Sequence, residues 1–217
     1  DLGIVVDPDV DRLALVCEDG SMFGEEYTLV SVSDYVLSKT PGNTVSNLSS
    51  TRALADITKK YNCEYHASAV GEVNVVEKMK LCNAVIGGEG NGGVIYPELH
   101  YGRDALVGIA LFLSNLAEKN ISSLNLRNSY PNYFISKNKL DLDASTDIGY
   151  IFSHLKNKYS KNDINLVDGL KIDFDSGWVH LRRSNTEPII RIYSESSSKE
   201  KADELAIDFV NQIKKII

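Results

Sequence analysis

Near its N-terminus the chain carries Asp7-Pro8-Asp9-Val10-Asp11-Arg12, in which three carboxylates at alternate positions are followed by a guanidinium. The apolar residues on either side, 2–6 and 13–16, predict two strands, the first of them buried. Residues two apart on a flat strand lie about 6.5 Å from each other, which is too far for three ligands of one ion. The acidic run must therefore curl, and the fixed φ of Pro8 suits a bend. A hard, oxygen-seeking cation such as Mg²⁺ fits among the carboxylates, with a phosphate completing its shell.

Two other interpretations of this run were weighed. An EF-hand loop would use Asp7, Asp9, Asp11 and Glu18, but its sixth position needs glycine and here holds Arg12, so we reject it. A plain acidic turn between two strands is common, and the run alone does not exclude it. Other stretches of the sequence are needed to distinguish a plain turn from a metal loop.

Composition narrows the class of protein. The chain has 217 residues, 43% of them hydrophobic and 24% charged, which is the balance of a soluble globular protein. A net charge of −7 gives no support to a nucleic-acid partner, and no stretch resembles a signal peptide or a membrane span. Three scattered cysteines without C-x-x-C spacing predict reduced thiols and a cytoplasmic protein. Because the chain opens on a hydrophobic strand without an initiator Met, we expect it to be a piece of something longer.

Strand and helix patterns alternate over residues 27–126 and predict a layered α/β domain. Within it, we expect a short strand at 83–86 and a helix at 104–118 that is apolar nearly all round and therefore deeply packed. Residues 127–138 are rich in Asn and Ser and predict a linker. Over 139–217 the order becomes helix, antiparallel strands and closing helix, which predicts a smaller α+β domain.

A second informative stretch is Gly87-Gly88-Glu89-Gly90-Asn91-Gly92-Gly93. Its five glycines allow a backbone to approach a ligand closely, and its two other residues are a carboxylate and an amide, which pair with sugar hydroxyls. A phosphate-binding loop would end in Lys and Ser or Thr, and this one does not. A plain glycine turn is the alternative.

The third stretch is Arg182-Arg183-Ser184-Asn185-Thr186-Glu187-Pro188, between two predicted strands. Guanidiniums, hydroxyls, an amide and turn N–H groups can all donate to one anion, and Arg has the forked geometry that fits phosphate oxygens. Arg191 alternates with Ile190 and Ile192, so it can reach the same pocket. The alternative is a solvated polar hairpin.

These three stretches resemble, in the same order, motifs of the α-D-phosphohexomutases, the superfamily of phosphoglucomutase, phosphomannomutase and phosphoglucosamine mutase. Residues 7–12 resemble the D-x-D-x-D-R magnesium loop, residues 88–93 the G-E-x-S-G-H sugar loop, and residues 182–188 the R-x-S-x-T-E-P phosphate loop. The resemblance implies that the chain is the C-terminal half of such an enzyme. Residues 1–26 would then end domain 2, residues 27–126 would form domain 3, and residues 139–217 would form domain 4.

The resemblance also implies roles for single residues. Mg²⁺ would be ligated by Asp7, Asp9 and Asp11. Arg12 would contact the phosphoserine or the transferring phosphoryl, and Glu89 and Asn91 would contact the sugar O3 and O4. The phosphate that does not react would be bound by Arg182, Ser184, Asn185 and Thr186. The implied reaction interconverts a hexose 1-phosphate and 6-phosphate of glucosamine, mannose or glucose through a bisphosphorylated intermediate.

Two departures from the family pattern matter. The loop has Asn91 for the usual Ser and Gly93 for the His, which puts any role of that His in doubt. The family nucleophile lies in a T-A-S-H-N-P-type loop of the first domain, and the only Ser-His pair here, Ser153-His154, falls in a predicted helix. We therefore expect the fragment to be inactive without the N-terminal domains. His180, beside Trp178 in strand alternation, is expected to be structural.

Two rival functions remain open from the sequence. One is a non-catalytic module that binds sugar phosphates. The other is a phosphatase-like enzyme that uses Asp7 as its nucleophile, because D-x-D after a buried strand suits that chemistry.

Overall fold

The acidic run connects the two strands of an antiparallel ribbon. In this computed structural model, which describes residues 1–143, 146–184 and 186–217, strand β1 (Gly3–Val6) pairs with β2 (Leu13–Val16). The prediction that the first strand is buried is wrong, because Ile4, Val5 and Val6 are 42%, 55% and 39% exposed. Among the described strands β1 has β2 as its one neighbour, so its side chains stay accessible while the β2 side chains face the core.

A mixed sheet follows the ribbon within a compact unit of residues 1–131. Its strands, in the spatial order β4-β3-β5-β6, are β3 (Thr44–Asn47), β4 (Tyr65–Ser68), β5 (Ile86–Glu89) and β6 (Gly93–Ile95). The first three strands in that order are parallel, because a helix connects each to the next along the chain, and β6 is antiparallel to β5. The helices are α1 (Glu25–Lys39), α2 (Ala53–Lys60), α3 (Glu72–Cys82), α4 (Ala105–Lys119) and α5 (Ser123–Asn128). The layered α/β prediction is confirmed.

The strand predicted at 83–86 lies three residues further along, as β5. Asn83 has a left-handed φ of 51° and ends α3, so the residues directly after it form a turn. The glycines at the start of the glycine stretch therefore belong to a strand. At position 87 a side chain is excluded, because a Cβ there would lie 2.6 Å from the Met79 sulfur.

Helix α4 is less deeply packed than predicted. Its buried residues are Ala105, Gly108, Phe112 and Asn115, whereas Leu106 and Leu113 are 65% and 43% exposed. The helix packs one side against α1, so its apolar composition overstates its burial. Asp104 caps its N-terminus, accepting hydrogen bonds from the backbone N–H groups of Leu106 and Val107.

Residues 132–217 form the second compact unit. Its antiparallel sheet, in the order β7-β11-β10-β9-β8, contains β7 (Phe134–Asp141), β8 (Asp163–Asn165), β9 (Leu170–Phe174), β10 (Gly177–Arg183) and β11 (Ile189–Ser196). Helices α6 (Ile148–Lys158) and α7 (Lys199–Ile216) share one apolar core with the strands. The helix–sheet–helix prediction is confirmed, with β7 added before α6.

The predicted linker, 127–138, contains more regular structure than expected. It includes the end of α5 and the start of β7, so 129–133 is the part of it outside helices and strands. β7 is a polar edge strand with the sequence FISKNKLD, and polar edge strands resemble loops in composition. Among the described residues, no helix has the length and apolar character needed to cross a membrane.

Candidate functional site

The acidic run curls so that its three carboxylates converge. Val10 takes a left-handed φ of 57°, and its backbone N–H donates to the Asp7 carbonyl at 3.0 Å. This conformation is strained for a β-branched residue and persists because the surrounding hydrogen bonds determine it. As a result, one oxygen from each of Asp7, Asp9 and Asp11 lies within 4.8 Å of the others.

The carboxylates of this metal loop (residues 7–12) differ in environment. Desolvation raises the pKa of Asp7, but the N–H groups of Arg12 and Asp11 donate to its Oδ1 at 3.0 and 3.1 Å, and its pKa lies below the usual value. Burial and the neighbouring Asp7 raise the pKa of Asp11. The Oδ1 atom of Asp11 is buried and has no hydrogen-bond partner among the described residues. An unsatisfied carboxylate oxygen beside two other carboxylates fits a hard divalent cation.

Arg12 lies at the rim of the metal loop. Its Nε is 3.6 Å from Asp7 Oδ2 and 3.7 Å from Asp11 Oδ1, and its side chain is 52% exposed. The guanidinium therefore contacts the carboxylates while most of its donors remain accessible to a further anion.

The segment formed by the metal loop and β2 is hydrogen-bonded to the glycine stretch and to the start of α4. The N–H of Leu13 donates to the Gly92 carbonyl at 3.1 Å, and the N–H of Ala105 donates to the Val10 carbonyl at 3.0 Å. Gly92 has a φ of 85°, and a Cβ there would lie 2.2 Å from the Leu13 carbonyl oxygen. Only glycine permits this approach, which brings two segments about 80 residues apart in sequence into contact.

Glu89 is buried and already has several partners. Its Oε1 accepts from Asn47 Nδ2 at 2.9 Å and from the Gly71 N–H at 3.2 Å, and its Oε2 accepts from Arg103 Nη1 at 2.9 Å. Asn91, in contrast, is half-buried and uses its side-chain oxygen to accept the Gly93 N–H at 3.1 Å.

The sequence analysis did not assign Arg103 to the site. Its guanidinium forms ion pairs with Asp11, with Glu72 at 3.3 Å and with Glu89 at 2.9 Å. The sequence shows only an arginine ten residues after the glycine stretch, and its pairing depends on tertiary contacts.

In the second unit, the structure brings Arg182 and Arg191 together. They face each other across the β10–β11 pair, and Lys139 on β7 faces Arg191 on the other side. Arg182 Nη1 lies 3.5 Å from Asp168 Oδ2. Arg191 is half-buried, and its Nε has no hydrogen-bond partner among the described residues.

The hairpin loop between β10 and β11 is partly described. Ser184 is buried, its N–H donates to the Ile189 carbonyl at 3.0 Å, and its Oγ accepts the Thr186 N–H at 3.4 Å. Thr186 is exposed. Asn185, also predicted to bind phosphate, lies outside the described residues.

A cavity of about 230 Å³ lies beside Arg191. It is lined by Lys137, Asn138, Lys139, Glu187, Ile189, Arg191 and Tyr193. Lys137 was missed because residues 127–138 were predicted to be a linker, and Lys139, at the start of the predicted second domain, was missed because no strand was predicted there. The two lysines that line this cavity add positive charge near Arg182 and Arg191.

His180 is structural, as predicted. It is buried, and its Nε2 donates to the Asp168 carbonyl at 2.6 Å, so that nitrogen carries the proton. Burial lowers the pKa of His180 to about 4. The residue attaches the turn at Asp168 to β10, and that turn places the Asp168 carboxylate beside Arg182.

Two family sequence models match the chain. Residues 24–133 match "Phosphoglucomutase/phosphomannomutase, alpha/beta/alpha domain III", and residues 152–212 match "Phosphoglucomutase/phosphomannomutase, C-terminal domain". Both matches follow the order of the two units described above.

Two relatives are similar to this chain over nearly its whole length. A phosphoglucosamine/phosphogalactosamine mutase of Sulfurisphaera tokodaii is 33% identical over 100% of this chain and 48% of its own length. A phosphoglucomutase/phosphomannomutase of Thermococcus kodakarensis is 35% identical over 94% of this chain and 45% of its own length. The chain thus spans about half the length of these relatives.

Solved structures agree. A phosphoglucomutase/phosphomannomutase family protein from Burkholderia thailandensis superposes with a TM-score of 0.82 at 25% identity, covering 99% of this chain and 46% of its own. Aspergillus fumigatus N-acetylphosphoglucosamine mutase, solved with GlcNAc-6P and magnesium, shares the fold with a TM-score of 0.68 at 15% identity, covering 98% of this chain and 52% of its own. With both family models matched in order, this chain belongs to the phosphoglucomutase/phosphomannomutase family of phosphohexomutases.

Proposed function

We propose that this chain is the metal-, sugar- and phosphate-binding part of a Mg²⁺-dependent phosphohexomutase. The enzyme would interconvert the 1-phosphate and 6-phosphate of a hexose, with glucosamine, mannose and glucose as the candidates. The observation that carries the proposal is the convergence of three carboxylates within 4.8 Å of one another, directly before β2, whose Leu13 N–H donates to Gly92 of the glycine stretch that carries Glu89.

The cation would be held by Asp7, Asp9 and Asp11. Asp11 Oδ1 supports this assignment, because it is buried and has no hydrogen-bond partner among the described residues, with Arg12 Nε 3.7 Å away, so a cation could complete its surroundings. When bound, Mg²⁺ supplies positive charge against the phosphoryl group that is transferred. Arg12 would contact the same phosphoryl with the donors that it does not use on Asp7 and Asp11.

The sugar would be oriented by Glu89 and Asn91. Glu89 accepts three hydrogen bonds from donors in the described part of the chain, and a carboxylate can accept about four, so one position would remain for a hydroxyl. Its burial fixes the direction of that remaining position, which gives the loop geometric selectivity for a hydroxyl.

The phosphate that does not react would bind at the β10–β11 hairpin. Two guanidiniums that face each other, with the hydroxyls of Ser184 and Thr186 nearby, favour a doubly charged anion. Asn185 stays in this proposal from the sequence motif, and Lys137 and Lys139 are added from the cavity beside Arg191.

Turnover would need a phosphoserine supplied by N-terminal domains outside this chain. The phosphoryl would pass from that serine to the sugar, giving a bisphosphorylated intermediate, and the other phosphate would then return to the serine. The 217 residues alone would bind ligands without catalysing the conversion, consistent with their spanning about half of the named relatives.

The test is an assay of the full-length protein against a panel of hexose 1-phosphates, with the 217-residue chain in parallel. We expect mutase activity from the full-length protein only, and a phosphoenzyme that resists hydroxylamine, as a phosphoserine does. A phosphoenzyme cleaved by hydroxylamine would instead indicate an aspartyl phosphate at Asp7. Robust turnover by the 217 residues would contradict the requirement for an external serine.

A further inference from the structure

Gly93 stands where the sugar loop of the resembled motif ends in histidine, and the space beside it is filled. A Cβ built at position 93 would lie 2.5 Å from Arg103 Cδ and 3.2 Å from Arg103 Cγ. Gly93 lies on β6, paired with Glu89 across the β5–β6 hairpin. A side chain at position 93 and the arginine at position 103 therefore compete for one volume.

The guanidinium of Arg103 lies among three carboxylates from three separate segments. Asp11 comes from the metal loop, Glu72 from the start of α3 and Glu89 from the end of β5. The Arg103 backbone N–H also donates to Glu72 at 3.0 Å, and only 14% of the Arg103 side chain is exposed. The Arg103 guanidinium is therefore an enclosed cation that contacts both the metal loop and the sugar loop.

We propose that Arg103 is a positioning residue that connects the metal loop to the sugar loop, and that Gly93 is required to admit it. Its contact with Asp11 places a fixed positive charge on a carboxylate that the metal would also use, so Arg103 acts as a counterion that limits metal affinity. Its contact with Glu89 holds the sugar-binding carboxylate at the same time. The inference rests on the proposed function for the identity of the metal and of the sugar loop.

The sign of the effect on the metal follows from electrostatics. Two cations that share one carboxylate repel each other, and the repulsion is stronger in a partly buried site than in water. The backbone of the metal loop is held independently of Arg103, by the N–H groups of Asp11 and Arg12 on Asp7. Removing the charge of Arg103 should therefore increase Mg²⁺ affinity without loosening the loop.

The first experiment is a calorimetric titration of the 217-residue chain with Mg²⁺. We expect Arg103→Met to tighten binding about fivefold or more. Lys39→Met removes the same charge at an exposed ion pair with Glu118, and we expect it to leave the affinity within about twofold. An affinity that is unchanged or weaker in Arg103→Met would overturn the proposal.

The second experiment needs no metal. Gly93→Ala is introduced into the wild type, into Arg103→Met and into Arg103→Ala, and urea midpoints are compared. Both variants at position 103 lose the charge, but only Arg103→Ala removes the atoms at the γ and δ positions that the new methyl group would strike, because methionine keeps Cγ and places its sulfur at the δ position. We expect Gly93→Ala to lower the midpoint in the first two backgrounds and to be tolerated in the third.

Equal losses in all three backgrounds would show that Arg103 does not occupy the volume beside Gly93, and would also overturn the proposal. The two experiments separate the two levels of inference. If the wild type binds no Mg²⁺, the metal assignment of the proposed function fails, while the urea series still decides whether Arg103 depends on Gly93.

Discussion

Arg182 faces Arg191 across β10 and β11, although like charges directly opposite each other destabilise a sheet. Arg191 adds a second cost, because its buried Nε has no hydrogen-bond partner among the described residues. Asp168 offsets only part of the charge, since it lies 3.5 Å from Arg182. Under the proposed function, this arrangement costs stability and provides two guanidiniums for an anion.

The effect of replacing Arg191 on stability should therefore have opposite signs in the absence and in the presence of a phosphate ligand. In phosphate-free buffer, we expect Arg191→Met to raise the free energy of unfolding by about 0.5 kcal/mol, because the repulsion disappears. The same variant should lose most of the stabilisation that glucose 6-phosphate gives the wild type. Urea unfolding with and without the ligand measures both effects. Lys215→Met, at an exposed position of α7, is the control and should keep the ligand effect; a matching loss there would point to non-specific charge.

Asp9 allows a clean test of the metal loop because it is the exposed member of the three carboxylates. Asp9→Asn keeps the shape of the side chain and should cost under about 0.5 kcal/mol of stability. We expect its Mg²⁺ affinity to fall at least tenfold, since a formal charge is lost from the ligand set. Isothermal titration gives the affinity, with Asp143→Asn as a matched surface control. Equal affinities in wild type and Asp9→Asn would remove Asp9 from the site.

At the scale of elements, the sequence predicted the helices and strands whose periodicity is internal to the segment. It failed where burial depends on neighbours. β1 has the composition of a buried strand yet is exposed, α4 is apolar yet packs on one side, and most of the polar edge strand β7 lies in the segment predicted to be a linker. Composition reports what a segment could bury, and only the tertiary fold determines what covers it.

The residues of the candidate site also fall into two groups, those that the sequence predicts and those that only tertiary contacts bring together. The sequence predicted three stretches of the candidate site, residues 7–12, 87–93 and 182–188, because each carries its chemistry in consecutive residues. Arg103 was missed because its role arises from Asp11, Glu72 and Glu89, which are contributed by different elements. The backbone hydrogen bonds from Leu13 to Gly92 and from Ala105 to Val10 were also missed, because side-chain motifs carry no information on them.

Helices α1, α2 and α4 are connected by one buried carboxylate on α1. Asp34 is 1% exposed, forms ion pairs with Lys119 and with Lys60 at 3.4 Å, and accepts from the hydroxyls of Tyr61 at 2.8 Å and Tyr130 at 3.1 Å. Although desolvation raises the pKa of Asp34, the donors from Lys119 and Tyr61 lower it below its usual value. The carboxylate is therefore ionised in the folded protein at neutral pH.

We expect Asp34→Ala to cost about 3 kcal/mol, because it leaves buried donors and a lysine without their partner. Asp34→Asn keeps one acceptor oxygen and should cost less. Urea unfolding followed by circular dichroism ranks the two variants against the wild type. Equal costs would mean that the charge alone matters, and no cost in either would exclude Asp34 as a connection between these helices.

At the scale of the whole molecule, the three aspartates proposed as metal ligands and the pair Arg182 and Arg191 belong to different compact units. The three aspartates lie in residues 1–131, and Arg182 and Arg191 lie in residues 132–217, which have their own apolar core. Mg²⁺ should therefore stabilise the first unit directly, by about 1.4 kcal/mol at ten times its Kd. Amide hydrogen exchange resolves the units separately. We expect added Mg²⁺ to slow exchange in β2 and β5, and slowing confined to the second unit would contradict the metal assignment.

Acid should act on the second unit through His180. The pKa of this buried imidazole is lowered to about 4, first by burial and then by the positive charges of Lys171 and Arg182, while the Asp168 carbonyl and carboxylate oppose the shift. An unfolded histidine has a pKa of about 6.5, so the folded state binds fewer protons than the unfolded state between these values. The contribution of His180 is therefore complete above about pH 6.5 and is lost as pH falls towards 4, amounting to about 3 kcal/mol.

His180→Gln retains a donor for the Asp168 carbonyl and cannot titrate, so the stability of the second unit should depend less on pH in this variant. His154→Gln removes an exposed histidine from α6 of the same unit and should keep the wild-type slope. Hydrogen exchange in β9 and β10 at pH 7 and pH 5 measures the difference. If stability depends on pH equally in His180→Gln and in the wild type, the acid sensitivity belongs to other groups. His180 would then not connect the Asp168 turn to Arg182 and Arg191 in the way that its burial implies.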